Sequence, residues 1–523
     1  MSSKRPSIEA GLRIAILVLF FGSGVCALVY EVAWMRMFRL VMGNTVFTAA
    51  TVLTVFMGGL GLGAYVSGRL THRFHRPLFT YALIEGAVGA YALLLLAFFG
   101  LAEPVYGWVY SWASDSVVLL GVGRFVVSTV LLIFPTTLLG ATLPLLCRFV
   151  SSSREHLGRD VGRLYGLNTL GAATGAAVTG FLLIPKLGVI VSTIVAAVGN
   201  LVIMVICIWL SLRFERQDVT EEADSSEFVT SNQTGSAAIH LVWMGMSGAG
   251  FASMVYEVAW TRLLTLMIGS SVYAFTLMLV AFIAGLGLGG AILGGWIDRI
   301  RNQFALFGVL EVIVGITVLC ILPIMHQLPS YVVPIVTSFA GSFQTLLTIE
   351  FLLVFALMVV PTFVMGGIFP LAAKMASRHL NRVDRSVGEI YAANTLGAVF
   401  GSFAAGFILI PAFGVQSTIF IGVAINIAIG VFFLIKGSQS LLPRIGAVGI
   451  VLVVLVAMVL FPAPDPLLLN SAPYLYAHRY EGKETREAIP LERVMKKNRR
   501  LLFAEDGLTA SVTVVESAGE LYL

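Results

Sequence analysis

Charged side chains are scarce. They make up 12% of the chain, about half the share usual in soluble domains, while 58% of residues are hydrophobic. A chain so poor in charge cannot solvate itself as a globule, so a bilayer is its natural solvent. Cysteine is sparse too. Cys26, Cys147, Cys207 and Cys320 each fall inside an apolar run, at spacings that fit neither a disulfide framework nor a zinc site. No metal and no cofactor is expected. No basic cluster is interleaved with aromatics, so the net charge of +5 reads as membrane topology and no nucleic-acid partner is expected. A cleaved leader is excluded as well: the first apolar run is too long for one and has an internal copy near residue 250.

What the chain has in abundance is apolar runs long enough to span a membrane, about 20 residues each. They lie near 12–34, 45–68, 78–100, 117–147, 164–184 and 189–212, and again near 239–260, 271–296, 304–325, 345–373, 390–410 and 415–435. A thirteenth run covers 442–461. The two sets are copies: residues 24–200 recur at 250–426 with a constant shift of 226 and no gap. Tyr30-Glu31-Val32-Ala33-Trp34 returns as Tyr256-Glu257-Val258-Ala259-Trp260, and Gly59-Leu60-Gly61-Leu62-Gly63 as Gly285-Leu286-Gly287-Leu288-Gly289. Six spans is an even number, so both copies point the same way and form a parallel repeat about the membrane normal. Such proteins place their working site between the halves.

The expected organisation is an all-α polytopic membrane protein. Residues 1–212 form the first six-helix repeat, 213–238 an acidic, Ser/Thr-rich linker, 239–436 the second repeat, 437–461 an extra transmembrane helix and 462–523 a soluble tail. In the tail, Leu508, Ala510, Val512 and Val514 alternate with Thr509, Ser511 and Thr513, a strand pattern between the turn signals Asp506-Gly507 and Ala518-Gly519. The chain ends at Leu523 where a further strand is expected, as in the front part of a longer protein. Loop charge gives orientation. Arg69, Arg73 and Arg76, then Arg148, Arg154, Arg159 and Arg163, follow spans two and four, and Arg299, Arg301, Lys374, Arg378, Arg382 and Arg385 repeat this in the second half. The stretches 101–116 and 326–344 hold no Lys or Arg. The positive-inside rule then places the N-terminus in the cytoplasm, with a bacterial inner membrane as the expected location. Thirteen spans would put the tail outside, whereas its Lys496, Lys497, Arg499 and Arg500 would prefer the inside; either 442–461 does not cross fully or the domain that follows is not a cytosolic synthase.

Two resemblances follow from particular residues. Gly290-Ala291-Ile292-Leu293-Gly294-Gly295-Trp296-Ile297-Asp298-Arg299-Ile300-Arg301 resembles the loop between spans two and three of the major facilitator superfamily, although its first-half counterpart, Gly68-Arg69-Leu70-Thr71-His72-Arg73, lacks the Asp. The Tyr-Glu-Val-Ala-Trp-x-Arg segment, the Gly-Leu-Gly-Leu-Gly segment and the tail Leu502-Phe503-Ala504-Glu505-Asp506-Gly507-Leu508-Thr509-Ala510-Ser511-Val512 together resemble the fused membrane-type spermidine synthases. That resemblance implies a major facilitator-like membrane region followed by the start of an aminopropyltransferase-like domain. The family's glycine-rich loop and catalytic Asp would lie beyond Leu523, so no catalytic residue carries over. It implies a transporter-like membrane region that moves or delivers a polyamine or another small cationic or zwitterionic substrate, or else a non-transporting anchor for the enzyme domain.

Ionisable residues inside spans are the candidate pathway, because a charge in lipid is costly. Glu31 and Glu257 sit about 25–27 Å along their helices. They are read either as a carboxylate pair for a cation or proton, or as interfacial anchors with an aromatic belt of Tyr30, Trp34, Tyr256 and Trp260. Glu85 and Glu311 lie deeper, about 13 Å into spans three and nine. They serve proton coupling or cation binding, or lock helices together through hydrogen bonds. Arg124 and Glu350 occupy equivalent positions with opposite charge. Spans one, four, seven and ten line the cavity of facilitator-type folds, so by that resemblance the two face each other and form a cross-half gate or bind a zwitterionic or polyamine substrate; otherwise each snorkels at the interface. Asn168 and Asn394, followed by Gly171/Gly175 and Gly397/Gly401, are read as helix-packing polar residues. The Gly-rich segments have no preceding strand and are packing surfaces, not dinucleotide loops. Pro135, Pro144, Pro361 and Pro370 are expected to kink spans four and ten.

Overall fold

The computed structural model describes residues 10–522 apart from 44–45, 115, 152–155, 215–235, 270–271, 340, 381, 439–440, 463, 481–490, 492–494, 496–498, 508–510 and 518–519. Most of the acidic linker and the 518–519 turn therefore lie outside the described residues. The first half comprises α1 (Ala10–Met42), α2 (Val46–Leu70), α3 (Pro77–Ala113), α4 (Val117–Val150), α5 (Leu157–Val178) and α6 (Ile184–Phe214). The second comprises α7 (Ser236–Ile268), α8 (Val272–Ile297), α9 (Gln303–Phe339), α10 (Phe343–Leu380), α11 (Val383–Ala404) and α12 (Ile410–Gly437). Every helix of the second half starts 226 positions after its counterpart. The repeat thus extends beyond the stretch where it is legible residue by residue. It governs backbone geometry as well: π-helical turns at Thr179–Leu183 and Ala405–Leu409 occupy equivalent places.

Ten apolar segments are long enough to cross a bilayer among the described residues. Two of them, Leu157–Phe214 and Val383–Gly437, are each two spans joined at a glycine. Gly188 and Gly414 carry φ of 78°, a conformation that only glycine adopts without strain. The span count per half is therefore six. α13 (Leu441–Leu460) packs along α12 and is about 30 Å long, enough to cross. The stretches 101–116 and 326–344, which hold no Lys or Arg, are mostly not loops. α3 and α9 continue through them as helix despite Glu103, His326 and Gln327, and Pro104, Pro329 and Pro334 are accommodated within the helices.

The halves meet along two antiparallel seams, α5 on α8 and α2 on α11. Glycine makes both possible. A Cβ at Gly162 would strike the Gly290 carbonyl, and one at Gly388 would strike the Ala64 carbonyl. Within each half the same device joins α1 to α5, where a Cβ at Gly24 would meet the Asn168 carbonyl, and α7 to α11, where Gly250 meets Asn394. α2 is held to α4 by Gly63 against Thr137, and α8 to α10 by Gly289 against Phe363. The dinucleotide-loop reading of these glycines is thus excluded by their packing.

Beyond α13, two short helices, α14 (Pro466–Leu469) and α15 (Pro473–Tyr480), lead to an antiparallel meander of β1 (Arg499–Asp506), β2 (Ser511–Ser517) and β3 (Glu520–Tyr522). β1 and β2 pair from Arg499↔Ser517 to Asp506↔Ser511, with an irregularity between Leu501 and Phe503. A small cluster of Leu467, Leu468, Leu491 and Met495 supports it. The tail rests on the membrane region: Arg262 donates to the Gly507 carbonyl at 2.6 Å, and Asp506 accepts from the backbone N–H of Val415 at 3.3 Å. Arg262 and Val415 lie at the end of the bundle opposite the basic loops.

Candidate functional site

Among the described residues, three groups of polar side chains inside the bundle contain the carboxylates Glu31, Glu85, Glu257 and Glu311 of α1, α3, α7 and α9. Two are copies of one another. In the first half, Tyr30 of α1 donates to Asn200 of α6 at 2.9 Å, and the Asn200 amide donates to Oε2 of Glu85 on α3. In the second, Tyr256 of α7 donates to Asn426 of α12 at 2.6 Å, and Asn426 donates to Oε2 of Glu311 on α9 at 2.5 Å. Both glutamates are 0% exposed. Each triad ties three helices of its own half. Glu85 and Glu311 therefore lie inside separate halves, not between them. Tyr30 and Tyr256 are not interfacial anchors either: both are fully buried and stack on Trp34 and Trp260 at 4.9 and 5.6 Å. Stacking keeps the ring out of water while the hydroxyl finds a partner, as a buried tyrosine requires.

The copies differ at two positions around the glutamate. Ser23 donates to Oε1 of Glu85 at 2.6 Å, but its equivalent is Ala249. Tyr81, in electrostatic range of Glu85, is replaced by Phe307. As a result Oε1 of Glu311 is buried with no hydrogen-bond partner among the described residues. Asn200 and Asn426 were not singled out in the sequence. Their signal is the 226-residue shift itself, which sets an Asn in an apolar helix twice.

The third group lies between the halves. Glu31 on α1 and Glu257 on α7 are within Coulomb range of each other. Glu31 is 8% exposed and Glu257 half-buried. Leu28 and Val32, flanking Glu31 on α1, pack in one cluster with Leu279 and Val280 of α8, so this face of α1 looks across the seam. Tyr391 of α11 lies in electrostatic range of Glu31 and of Tyr165 on α5. Tyr165 stacks on Phe369 of α10 at 4.5 Å, and Phe369 meets Tyr391 edge-on at 5.8 Å. This aromatic layer bridges the halves on the basic-loop side of the carboxylates. Toward the other end Phe181 stacks on Tyr273 across the seam at 6.0 Å.

Arg124 and Glu350 do not pair. The Arg124 guanidinium donates to Tyr106 of α3 at 3.0 Å and so stays within its own half. Glu350 is buried and makes no hydrogen bond or ion pair among the described residues. A guanidinium and a phenol on adjacent helices satisfy each other locally, which removes the need for a cross-half partner. Asn168 donates to the Phe20 carbonyl at 2.9 Å, and Asn394 packs against Gly250. At the basic end, Asp298 accepts from the backbone N–H groups of Gly158 and Arg159 at 3.0 and 2.9 Å and pairs with Lys374 at 2.6 Å. It thereby caps the N-terminus of α5, an arrangement favoured by the helix dipole. The opposite seam is closed by Arg69 and Arg385 on Glu389, at 3.6 and 2.8 Å. No cluster of His, Cys, Asp and Glu suited to a metal occurs among the described residues.

Two six-helix halves related by a parallel repeat, with carboxylates at their junction, define an integral membrane protein of major facilitator-like, transporter-like fold. Comparison with solved structures agrees. Two crystal structures of a bacterial homologue of the iron transporter ferroportin in the outward-facing state, one with soaked iron, superpose with TM-scores of 0.52 and 0.53. They cover 83% of this chain and 100% of theirs at 15 and 16% identity, a likeness of fold alone. In sequence, the chain is similar to polyamine aminopropyltransferases. It is 26% identical over 203 residues to polyamine aminopropyltransferase 1 of Streptomyces coelicolor, or 38% of this chain and 34% of that protein. It is 28% identical over 226 residues to polyamine aminopropyltransferase 2 of the same organism, or 42% and 37%. The polyamine aminopropyltransferase of Mycobacterium tuberculosis is 27% identical over 211 residues, or 38% and 37%. The chain thus spans about a third of the length of the curated relatives it matches. No protein-family model matches. Fold and relatives together agree with the resemblance: a major facilitator-like membrane fold in a chain whose sequence is similar to polyamine aminopropyltransferases.

Proposed function

We propose that this chain is the membrane region of a spermidine-synthase-like fusion protein and that it moves or delivers a polyamine or similar small cation between its two halves. One observation carries the reading. Glu31 and Glu257 lie within Coulomb range across the seam, in apolar surroundings and without a basic partner among the described residues. Two like charges in a low-dielectric site repel strongly, so the site calls for protons or for a cation between them. A flexible diamine or triamine supplies two ammonium groups on an apolar stem, and the aromatic faces of Tyr165, Phe369 and Tyr391 suit that stem and its charge. Glu85 and Glu311 hold helices together in this reading and do not line the path. Rocking of the halves about the glycine-packed seams is the expected motion. The basic loops and the N-terminus face the cytoplasm, and the tail the other side.

The test is uptake of radiolabelled spermidine and putrescine into proteoliposomes. Glu31→Gln/Glu257→Gln should lower uptake about tenfold or more, the worth of one charge-assisted contact. Glu85→Gln and Glu311→Gln serve as controls for helix packing. Wild-type uptake no faster than in empty liposomes, or unchanged in the double variant, would refute the proposal. The first outcome favours the second reading, a non-transporting anchor for the enzyme domain. The seating of the tail on Arg262 and Val415 supports that alternative.

A further inference from the structure

At the basic-loop end, between α5, α8 and α10, lies a cavity of about 1030 Å³. Arg159, Arg163, Arg299 and Lys374 line it, with His156 and a single carboxylate, Asp298. Asp298 is already committed to Lys374 and to the α5 N-terminus. Arg159 reaches only Asp160, at 3.7 Å, and its Nε is buried with no hydrogen-bond partner among the described residues. Arg163 and Arg299 make no ion pair among the described residues.

The repeat shows which of these cations has no basic counterpart. The mirror position of Arg163 is Glu389, which neutralises Arg385 and Arg69. The mirror position of Gly158 is Asp384, which pairs with Arg382 at 2.7 Å. At the second seam Arg69, Arg382 and Arg385 are paired, while at the first an arginine stands in place of a carboxylate beside a cavity large enough for a ligand.

We propose that this cavity binds a phosphate-bearing anion. Guanidinium forks match the paired oxygens of a phosphate, and several cations around one concavity favour the multiple negative charge of such a group. Two sources share that chemistry, the headgroup of an anionic phospholipid and a free phosphate. The open side of the cavity carries Trp296 and Ile292, 48% and 60% exposed, an apolar rim of the kind that flanks headgroups at the interface.

The full chain in phosphatidylcholine nanodiscs is titrated with inorganic phosphate, and in parallel its retention of phosphatidylglycerol is read by native mass spectrometry from mixed nanodiscs. The test variant is Arg163→Glu/Arg299→Gln, in which Arg163→Glu gives the first seam the residue of the second and Arg299→Gln removes a further guanidinium. Loss of Arg76, outside the cavity, is the charge control. The wild type should bind at least one probe about tenfold more tightly than the test variant, while Arg76→Gln matches the wild type. Phosphate binding in the neutral nanodisc identifies a free anion as ligand; phosphatidylglycerol retention alone identifies a headgroup. If the double variant does not fold, Arg163→Gln alone is compared, with about threefold weaker binding expected for one lost guanidinium. Equal behaviour of wild type and folded variant toward both probes, or an equal loss in Arg76→Gln, overturns the proposal.

Discussion

Replacing Asn426 by Ala should cost more than replacing Asn200, although the two residues are copies. Each substitution deletes two buried interhelical hydrogen bonds, one from a tyrosine and one to a glutamate. Bonds of this kind within membrane helices are worth about 0.6 kcal/mol on average and at most about 1.7, so the deletion alone costs about 1–3 kcal/mol in either half. The remainder differs. In Asn200→Ala, Glu85 keeps the Ser23 hydroxyl at 2.6 Å. In Asn426→Ala, Glu311 keeps nothing, because Ala249 stands where Ser23 does and Oε1 is already unpartnered. An unsatisfied buried group adds about 1–3 kcal/mol. Asn426→Ala should therefore be the more destabilising by about that amount. Ala249→Ser should return part of it, about 0.6–1.7 kcal/mol, by restoring the missing donor. Unfolding by SDS in bicelles, followed by tryptophan fluorescence, reads these differences. The account of the two triads fails if Asn200→Ala is as costly as Asn426→Ala, or if Ala249→Ser gives no gain in the Asn426→Ala background.

Two further substitutions probe the frame around the site. Gly188→Ala meets no neighbouring atom, so its cost is purely that of the backbone at φ 78°, ψ 173°, about 1–3 kcal/mol; a neutral effect in the same unfolding assay would show that the turn relaxes freely. Asp298→Asn leaves the largely buried Lys374 without its carboxylate and weakens the cap on α5. It should lower stability by about 2–3 kcal/mol, less than for a fully buried pair because a cavity adjoins it, and Asp298→Asn/Lys374→Met should recover most of the loss.

The repeat was legible because a constant shift of 226 needs no structural knowledge, and from it the parallel six-helix halves followed. Glycine segments at that shift read correctly as packing faces, since only close backbone approach explains so many small residues in apolar helices. Asn168 and Asn394 were read in the same way, and the first donates to a backbone carbonyl in a neighbouring helix. The triads were half legible. Glu85 and Glu311 stood out as carboxylates in apolar runs, but Asn200 and Asn426 supply their donors from 115 residues away. Helix boundaries were shorter in the sequence than in the fold, since α3 and α9 run on as helix beyond the most apolar stretch.

Composition and periodicity by themselves determined the solvent and the twofold plan, because these depend on free energies summed over whole segments. Which charges meet was decided only by tertiary structure. Arg124 and Glu350 match in sequence and opposite sign, yet Arg124 bonds Tyr106 in its own half, while Glu31 and Glu257 come within range across the junction. Coulomb and hydrogen-bond energies vary over a few ångströms, and a helix turned by one residue, about 100°, faces a different neighbour. That rotation is set by the glycine contacts between helices, which no single helix contains.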